Sequence, residues 1–273
     1  MEMKSYDWEK EWRENISDTA ERSGIDYWNK RAEDYNDAII NSDFENGRKS
    51  KAILQKAGIV NKSAEVLDIA AGPGTITIPF AESVKRVTAI EPTENMRQCL
   101  MENAQNNNLD NIEILGIRLQ EMEDSAHKDK YDLVICSHGL FHFPDIGPQL
   151  MKMNLYSKGC CCIIEGLGNR DGYKDMYEKL GISSSPVQYD HFIALYNILY
   201  NRGFFPEVKI FDSITKRSRK SALSLWEKFL GKYRTPGKKD LEIIEKHVEI
   251  NLIKGMYTRT CKMAMIYWKK AIF

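Results

Sequence analysis

A short acidic and glycine-rich segment has the residue types of a ligand-binding turn. Asp68 lies in an apolar run, and small residues follow it in the order Ala70-Ala-Gly72-Pro-Gly74. This pattern predicts a buried strand that leads through a tight turn into a helix, which brings backbone amides and a helix N-terminus against a ligand. Because a carboxylate at the strand end repels phosphate and attracts ammonium or sulfonium groups, Asp68 favours a cationic ligand.

A second carboxylate, Glu91, ends the next predicted strand. An acid there can accept hydrogen bonds from both ribose hydroxyls of an adenosine cofactor. A dinucleotide-binding turn fits the spacing poorly, because glycines at positions 72 and 74 put Thr77 where the third glycine belongs. A purely structural role, in which each carboxylate orders a loop or caps a helix, is the alternative for Asp68 and Glu91.

Several motifs follow one another in a characteristic order within residues 60–170: Asp68-Ile-Ala70-Ala-Gly72-Pro-Gly74, then Ala89-Ile-Glu91-Pro92 with Met96 behind it, then Tyr131-Asp132-Leu133-Val134. This order resembles the class I S-adenosylmethionine-dependent methyltransferases. Residues 27–35 are similar to the N-terminal element that closes over the cofactor in many small-molecule members of that family.

The resemblance implies S-adenosylmethionine as cofactor, S-adenosylhomocysteine as its product, and a role for each matching residue. The methionine part would be held by Asp68, Ala70, Gly72 and Gly74, and the ribose by Glu91. The adenine would lie between Pro92 and Met96 on one side and Arg118 and Leu119 on the other. The gap between sulfonium and acceptor would be lined by Cys136, Ser137 and His138, and the N-terminal element would contribute Tyr27 and Tyr35. Ala70 replaces the family's usual first glycine, so we expect a negative φ there.

Two histidines are the candidates for a catalytic base. Methyl transfer from a sulfonium is an in-line displacement, and a base is needed only if the acceptor must lose a proton. His138 and His142 follow the fourth predicted strand, although each can equally be a histidine that packs or caps the loop. No metal site is predicted, because consecutive residues of a strand alternate between faces and the thiols of residues 160–162 cannot converge on one ion.

The elements that position these residues alternate in type along the chain. Val- and Ile-rich runs predict strands at residues 65–69, 86–90, 112–115, 131–136 and 159–165, with helices at 78–83, 94–105 and 149–156 between them. Further on, a helix at 189–201 precedes strands at 207–211 and 262–267. The fold expected is α/β, a Rossmann-like doubly wound seven-stranded sheet that is mostly parallel, with the last strand antiparallel.

Three regions follow from this order of elements. We expect an N-terminal helical lid at residues 1–50, an S-adenosylmethionine-binding core at 51–170, and a C-terminal completion of the sheet at 171–273. A helical insertion at roughly 214–256 is far longer than a hairpin loop. It is expected to cap the site or to form the contact of a homodimer.

The composition and charge of the chain limit the binding partners and the cellular compartment that we expect. Lys and Arg total 39, as do Asp and Glu, so the formal net charge is +0 and no basic field predicts nucleic acid or a membrane as a partner. No signal-peptide pattern or long apolar run is present, which predicts a cytoplasmic protein. The leading hypothesis is a methyltransferase that acts on a small molecule. The alternatives are a non-catalytic S-adenosylmethionine-binding sensor or assembly protein and, less favoured by the spacing, an NAD-linked oxidoreductase.

Overall fold

The computed structural model of the chain describes residues 6–167, 171–182 and 190–270. Residues 1–5 of the predicted lid, residue 189 at the start of a predicted helix, and residues 271–273 lie outside the described residues. Within the described part, no helix has both the length and the apolar character needed to cross a membrane.

The described residues contain one mixed sheet, and its strand order is β3-β2-β1-β4-β5-β8-β6. The first five strands are parallel, whereas β8 runs antiparallel between β5 and β6. The predicted α/β, doubly wound sheet with an antiparallel last strand is confirmed, with one short extra strand, β7, paired to β8. The strands are β1 (Glu65–Ile69), β2 (Arg86–Ile90), β3 (Ile112–Leu115), β4 (Tyr131–Ser137), β5 (Ser157–Leu167), β6 (Glu207–Arg217), β7 (Leu252–Ile253) and β8 (Met256–Lys269).

Helices pack on both faces of the sheet and across one of its edges. They are α1 (Trp8–Arg22), α2 (Ile25–Asn41), α3 (Glu45–Lys56), α4 (Thr77–Ala81), α5 (Glu94–Asn106), α6 (Asp124–His127), α7 (Ile146–Tyr156), α8 (Asp171–Lys179), α9 (His191–Asn201), α10 (Arg219–Leu230) and α11 (Lys238–Ile250). The last two form the predicted insertion, which begins only after Arg217 because β6 continues further than its apolar run. Ser218 caps α10 by accepting a hydrogen bond from the amide of Ser221 at 3.1 Å.

The core is divided by the sheet into two layers. In β4, Val134 and Cys136 belong to the cluster that also contains residues of α1, α7 and α9, while Leu133 and Ile135 belong to the cluster on the opposite face. The three consecutive cysteines of β5 alternate in the same way: Cys161 lies in the first cluster, and Cys160 and Cys162 lie in the second. All three are buried, as strand alternation predicts for small core residues.

Helix α2 lies parallel to α5 and is tied to it at two points. The side-chain oxygen of Asn29 accepts a hydrogen bond from the amide of Asn95 at 3.1 Å. About two helical turns further along, the side-chain amide of Asn103 donates a hydrogen bond to the side-chain oxygen of Asn36 at 2.7 Å. Because the strand order reverses between β1 and β4, the carboxyl ends of these strands form the crevice in which open α/β sheets bind ligands.

Candidate functional site

The turn after β1 has three residues in the left-handed region of φ. They are Ala70 at 56°, Gly72 at 56° and Gly74 at 96°. The expectation of a negative φ at Ala70 is therefore wrong: the chain turns sharply as soon as β1 ends, and the alanine takes the conformation that glycine adopts without strain. A Cβ at Gly74 would stand 2.6 Å from a methyl carbon of Leu100, whereas a Cβ at Gly72 would meet no atom within 4 Å. Gly72 thus faces open space, where a ligand can approach the backbone.

Asp68 lies just before this turn and is 1% exposed. Its carboxyl accepts a hydrogen bond from the hydroxyl of Thr77 at 2.6 Å. Burial raises the pKa of Asp68 to about 7; hydrogen bonds from Thr77 oppose the shift, and the charge of Glu91 adds to it. A cation placed here would offset the cost of ionising this buried acid. The hydrogen bond to Thr77 shows that Asp68 also orders the start of α4.

Glu91 reaches from the end of β2 to the turn after β1. One carboxylate oxygen accepts a hydrogen bond from the amide of Gly72 at 2.9 Å, and the other accepts from the amide of Thr93 at 2.8 Å. Glu91 therefore has the loop-ordering role that was the alternative for it. Each carboxylate oxygen has a second lone pair, so the same side chain can still accept hydrogen bonds from ligand hydroxyls.

Of the four residues predicted to flank the adenine, two are buried and two are at least partly exposed. Met96 and Leu119 are buried, at 2% and 1% exposure, and Leu119 lies within the main core. Pro92 is partly buried and Arg118 is exposed. Arg118 lines a surface cleft of about 310 Å³ together with Tyr27 and the residues around the start of α2. The structure thus brings Arg118 and Tyr27 together, although they are distant in sequence.

The residues at the end of β4 face in different directions. Cys136 is completely buried in the main core, and burial raises the pKa of its thiol well above the usual value. Ser137 accepts a hydrogen bond from the side-chain amide of Asn46 in α3 at 3.5 Å. The side-chain oxygen of Asn46 is buried and has no hydrogen-bond partner among the described residues. Asn46 is thus a polar group at this edge that the sequence did not single out.

The two candidate bases stand in opposite electrostatic surroundings. His138 has a φ of 55°, and its Nδ1 lies 3.8 Å from the carboxylate of Glu165. Burial lowers the pKa of His142 to about 4, and the positive charges of Lys232 and Arg118 add to this effect. At neutral pH His142 is uncharged and a weak base, whereas a carboxylate stands beside His138.

An aromatic cluster connects α2 to the segment that follows β4. The ring of Trp28 lies 5.7 Å from that of Tyr35, 6.4 Å from that of Phe141 and 6.2 Å from that of His142, between centroids. The hydroxyl of Tyr27 accepts a hydrogen bond from Arg31 at 2.6 Å. The cofactor contacts of Tyr27 and Tyr35 stay predictions, and so does the role of α2 as a lid.

Sequence reasoning missed three further residues of this region. Gly47 in α3 lies so close to the turn that a Cβ would stand 2.0 Å from the carbonyl oxygen of Thr75. Glu165 and His191 meet His138 at the end of β5. Glu165 had one signal, an acid at the end of a buried apolar run. His191 and Gly47 had none, because their roles depend on neighbours far away in the chain.

Comparison with known proteins identifies the central part of the chain. A family model described as a methyltransferase domain matches residues 66–154. A comparison with curated proteins gives no match.

Three solved structures illustrate the likeness of fold. The YcgJ protein from Bacillus subtilis is 14% identical, with a TM-score of 0.54 over 81% of this chain and 98% of its own. A putative methyltransferase from Bacillus halodurans is 18% identical, with a TM-score of 0.52 over 81% and 98%. Magnesium protoporphyrin IX methyltransferase from Synechocystis, solved with bound S-adenosylhomocysteine, is 14% identical, with a TM-score of 0.50 over 83% and 84%.

Proposed function

We propose, from the premise that residues 66–154 are a class I S-adenosylmethionine-dependent methyltransferase domain, that the protein transfers the cofactor's methyl group to a small-molecule acceptor. The observation that supports this best is the pair of buried carboxyl groups, Asp68 and Glu91, beside a turn whose Gly72 faces open space. Two acids at one turn suit a ligand that is positively charged and carries hydroxyls.

The residues present fit S-adenosylmethionine on charge and on shape. The raised pKa of Asp68 marks a buried acid that a nearby ammonium or sulfonium would stabilise as the anion. Glu91 holds the amide of Gly72 and keeps lone pairs for the ribose hydroxyls. When bound, the cofactor supplies a methyl group on a positively charged sulfur. The chain supplies the carboxylates that hold it, the strand ends that orient the acceptor, and α2 to exclude water.

The small-molecule acceptor is supported by the charge pattern. The formal net charge of +0 gives no overall field for nucleic acid, and the sequence has no nucleic-acid recognition motif. Trp28 of α2 packs against Phe141 and His142, which follow β4, and an aromatic wall beside the crevice suits an acceptor that can be enclosed.

A labelled-methyl experiment tests the reaction and the class of acceptor together. The protein is incubated with tritium-labelled S-adenosylmethionine and a cell extract separated into small-molecule and macromolecular fractions. We expect label to enter the small-molecule fraction. Label in protein or RNA would contradict the proposed acceptor class, and cofactor binding without transfer to either fraction would favour a sensor or assembly role.

Two substitutions test the proposed site independently of the acceptor. Asp68→Ala and Glu91→Ala should each weaken S-adenosylhomocysteine binding by about 1–3 kcal/mol, because each removes charged hydrogen bonds. Asp132→Asn is the matched control, since Asp132 accepts a hydrogen bond from the amide of Glu65 at the start of β1. It should leave the affinity unchanged. Equal affinities in all three variants would place the site elsewhere.

A further inference from the structure

The side chain of Asn46 in α3 has a buried polar atom without a hydrogen-bond partner. Its Nδ2 donates to the hydroxyl of Ser137 at 3.5 Å, which is a long hydrogen bond, and its buried Oδ1 accepts none from the residues that the structure describes. A buried oxygen without a donor costs free energy, so proteins rarely keep one unless water or a ligand supplies the donor. The residue as a whole is only partly buried, so its amide can turn toward a ligand.

Asn46 lies between the turn after β1 and the end of β4. Strand β1 pairs with β4 up to its own last residue, so Ser137, at the end of β4, stands level with the first residue of the turn. The next residue of α3, Gly47, packs so closely that a Cβ there would stand 2.0 Å from the carbonyl oxygen of Thr75, at the end of the same turn. The amide of Asn46 is therefore held beside the strand ends at which Asp68 favours a cation.

A second partly buried asparagine provides a comparison. Within the described part of the chain, Oδ1 of Asn111 is also buried without a partner, but its Nδ2 donates to the carbonyls of Ala81 and Val84 at 2.9 and 3.0 Å. Asn111 precedes β3, at the end of the sheet opposite the crevice. Two good hydrogen bonds thus account for the amide of Asn111, whereas the long contact with Ser137 does not account for that of Asn46.

We infer that Asn46 binds the amino-acid part of S-adenosylmethionine, with Oδ1 accepting a hydrogen bond from the ammonium group. The inference rests on the proposed methyltransferase function and adds a binding residue from α3, outside the segment that the methyltransferase family model matches. A carboxamide oxygen is a neutral acceptor, so it can contact the ammonium group alongside the carboxylate of Asp68. The ligand would supply the donor that the buried oxygen lacks.

Binding and stability measured on the same variant test this assignment. Asn46→Leu removes the amide and keeps a side chain of similar length. S-adenosylhomocysteine, which carries the same ammonium group, should bind about 10- to 100-fold more weakly, the scale of a hydrogen bond to a charged group. The midpoint of urea unfolding should be unchanged or higher, because the ligand-free protein loses only an unsatisfied oxygen and a weak contact. Asn46→Ala makes the same test of affinity without added bulk. Wild-type affinity in either folded variant overturns the inference.

Asn111→Leu is the matched control, since it makes the same change at a buried oxygen far from the crevice. It should lower the midpoint of urea unfolding, because two carbonyls lose their donor, and leave the affinity for S-adenosylhomocysteine within about twofold. An equal loss of affinity in Asn46→Leu and Asn111→Leu would overturn the inference, because the loss would then be a general effect of such a substitution.

The ligand 5′-methylthioadenosine separates the amino-acid part from the rest of the cofactor. It keeps the adenosine and the sulfur and lacks the ammonium and carboxylate groups, so Asn46→Leu should change its affinity by less than about twofold. A loss as large as that for S-adenosylhomocysteine would contradict the assigned contact. Failure of the wild type to bind S-adenosylhomocysteine would count against the proposed function, whereas equal binding by the wild type and Asn46→Leu would remove this inference alone.

Discussion

The carboxyl groups of Asp68 and Glu91 accept hydrogen bonds that order the turn after β1 and the elements next to it. Asp68 accepts a hydrogen bond from Thr77, and Glu91 holds the amides of Gly72 and Thr93. Both acids are buried, and the charge of Glu91 helps raise the pKa of Asp68. A cationic ligand would favour the ionised form of Asp68, so ligand binding and proton release are linked.

The affinity for S-adenosylhomocysteine should therefore depend on pH through Asp68. Below about pH 7 the free protein carries a proton on Asp68 that binding must remove, so affinity should fall about tenfold per pH unit in that range. Above this pH the contribution of Asp68 is constant. Calorimetry from pH 5.5 to 8.5 measures the effect as the ratio of wild-type to Asp68→Asn affinities, which cancels the titration of the ligand. A flat ratio would show that Asp68 does not meet the cationic group.

The raised pKa of Asp68 also makes the stability of the ligand-free protein depend on pH. In the unfolded chain, Asp68 has the usual Asp pKa of 3.8. As pH rises, it therefore loses its proton at a lower pH than it does in the folded chain. The contribution of Asp68 to the free energy of unfolding is therefore greatest below that value. It falls as pH rises toward about 7.

Replacing Ala70 by glycine should stabilise the protein. Its φ of 56° costs an L-residue about 1–2 kcal/mol, and Ala70→Gly removes that cost. We expect the free energy of unfolding in urea to rise by about 1 kcal/mol. The neighbouring Ala71→Gly is the control: Ala71 is buried and outside the positive-φ set, so glycine there should destabilise by about 1 kcal/mol. Destabilisation of similar size in both variants would contradict the turn geometry.

The sequence identified Asp68 and Glu91 but not the polar residues that the fold brings close to them. Asp68 and Glu91 stand out because each ends a buried apolar strand. Asn46, Glu165 and His191 acquire their roles only when α3, β5 and α9 fold against the strand ends. The sign of φ at Ala70 was mispredicted because residue type gives a preference and the surrounding turn decides the conformation.

Helix α2 and the residue that follows it make polar contacts with three neighbouring elements. Asn103 of α5 joins Asn36 of α2 to the carbonyl of Pro73 in the turn, at 2.7 and 2.8 Å. From α10, the hydroxyl of Ser221 donates to the carbonyl of Asp34 at 2.8 Å. From β6, the amide of Lys216 donates to the hydroxyl of Ser42 at 2.8 Å. The predicted lid helix is thus connected both to the turn after β1 and to the helical insertion.

Asn103 should be the more important of the two asparagines that tie α5 to α2. It is 2% exposed, so Asn103→Ala leaves buried oxygens without their donor and should lower the free energy of unfolding by about 1–3 kcal/mol. At an exposed position, the side-chain amide of Asn95 donates to the carbonyl of Asn29 at 3.1 Å, and Asn95→Ala should cost less than about 0.5 kcal/mol. Urea unfolding of both variants checks the difference. Equal costs would mean that α2 is not anchored through Asn103.

The predicted strands match the structure best in the first three strands. β1, β2 and β3 have the bounds that their apolar runs predict. β6 and β8 are longer than predicted. β6 is an edge strand and the first part of β8 extends beyond β5, so these parts are partly exposed and carry polar residues that mask the strand pattern. The two-residue β7 is too short to leave any pattern.

The helical insertion packs in a core cluster that it shares with α8 and β8. Trp226, Ile244 and Val248 pack with Tyr257 of β8 in a cluster separate from the two layers around the sheet. Through α10 the insertion also contacts α2, which agrees with a cap next to the site. A homodimer formed through the insertion and a cytoplasmic location stay predictions.

We propose that the folded chain binds the methyl donor and its product at the carboxyl ends of β1 and β2. The most direct test is a calorimetric titration of the wild-type protein with S-adenosylhomocysteine and, separately, with NAD. We expect saturable one-site binding of S-adenosylhomocysteine, clearly weakened in Asp68→Asn, and no binding of NAD. Absence of S-adenosylhomocysteine binding by protein shown to be folded, or saturable binding of NAD in its place, would contradict it.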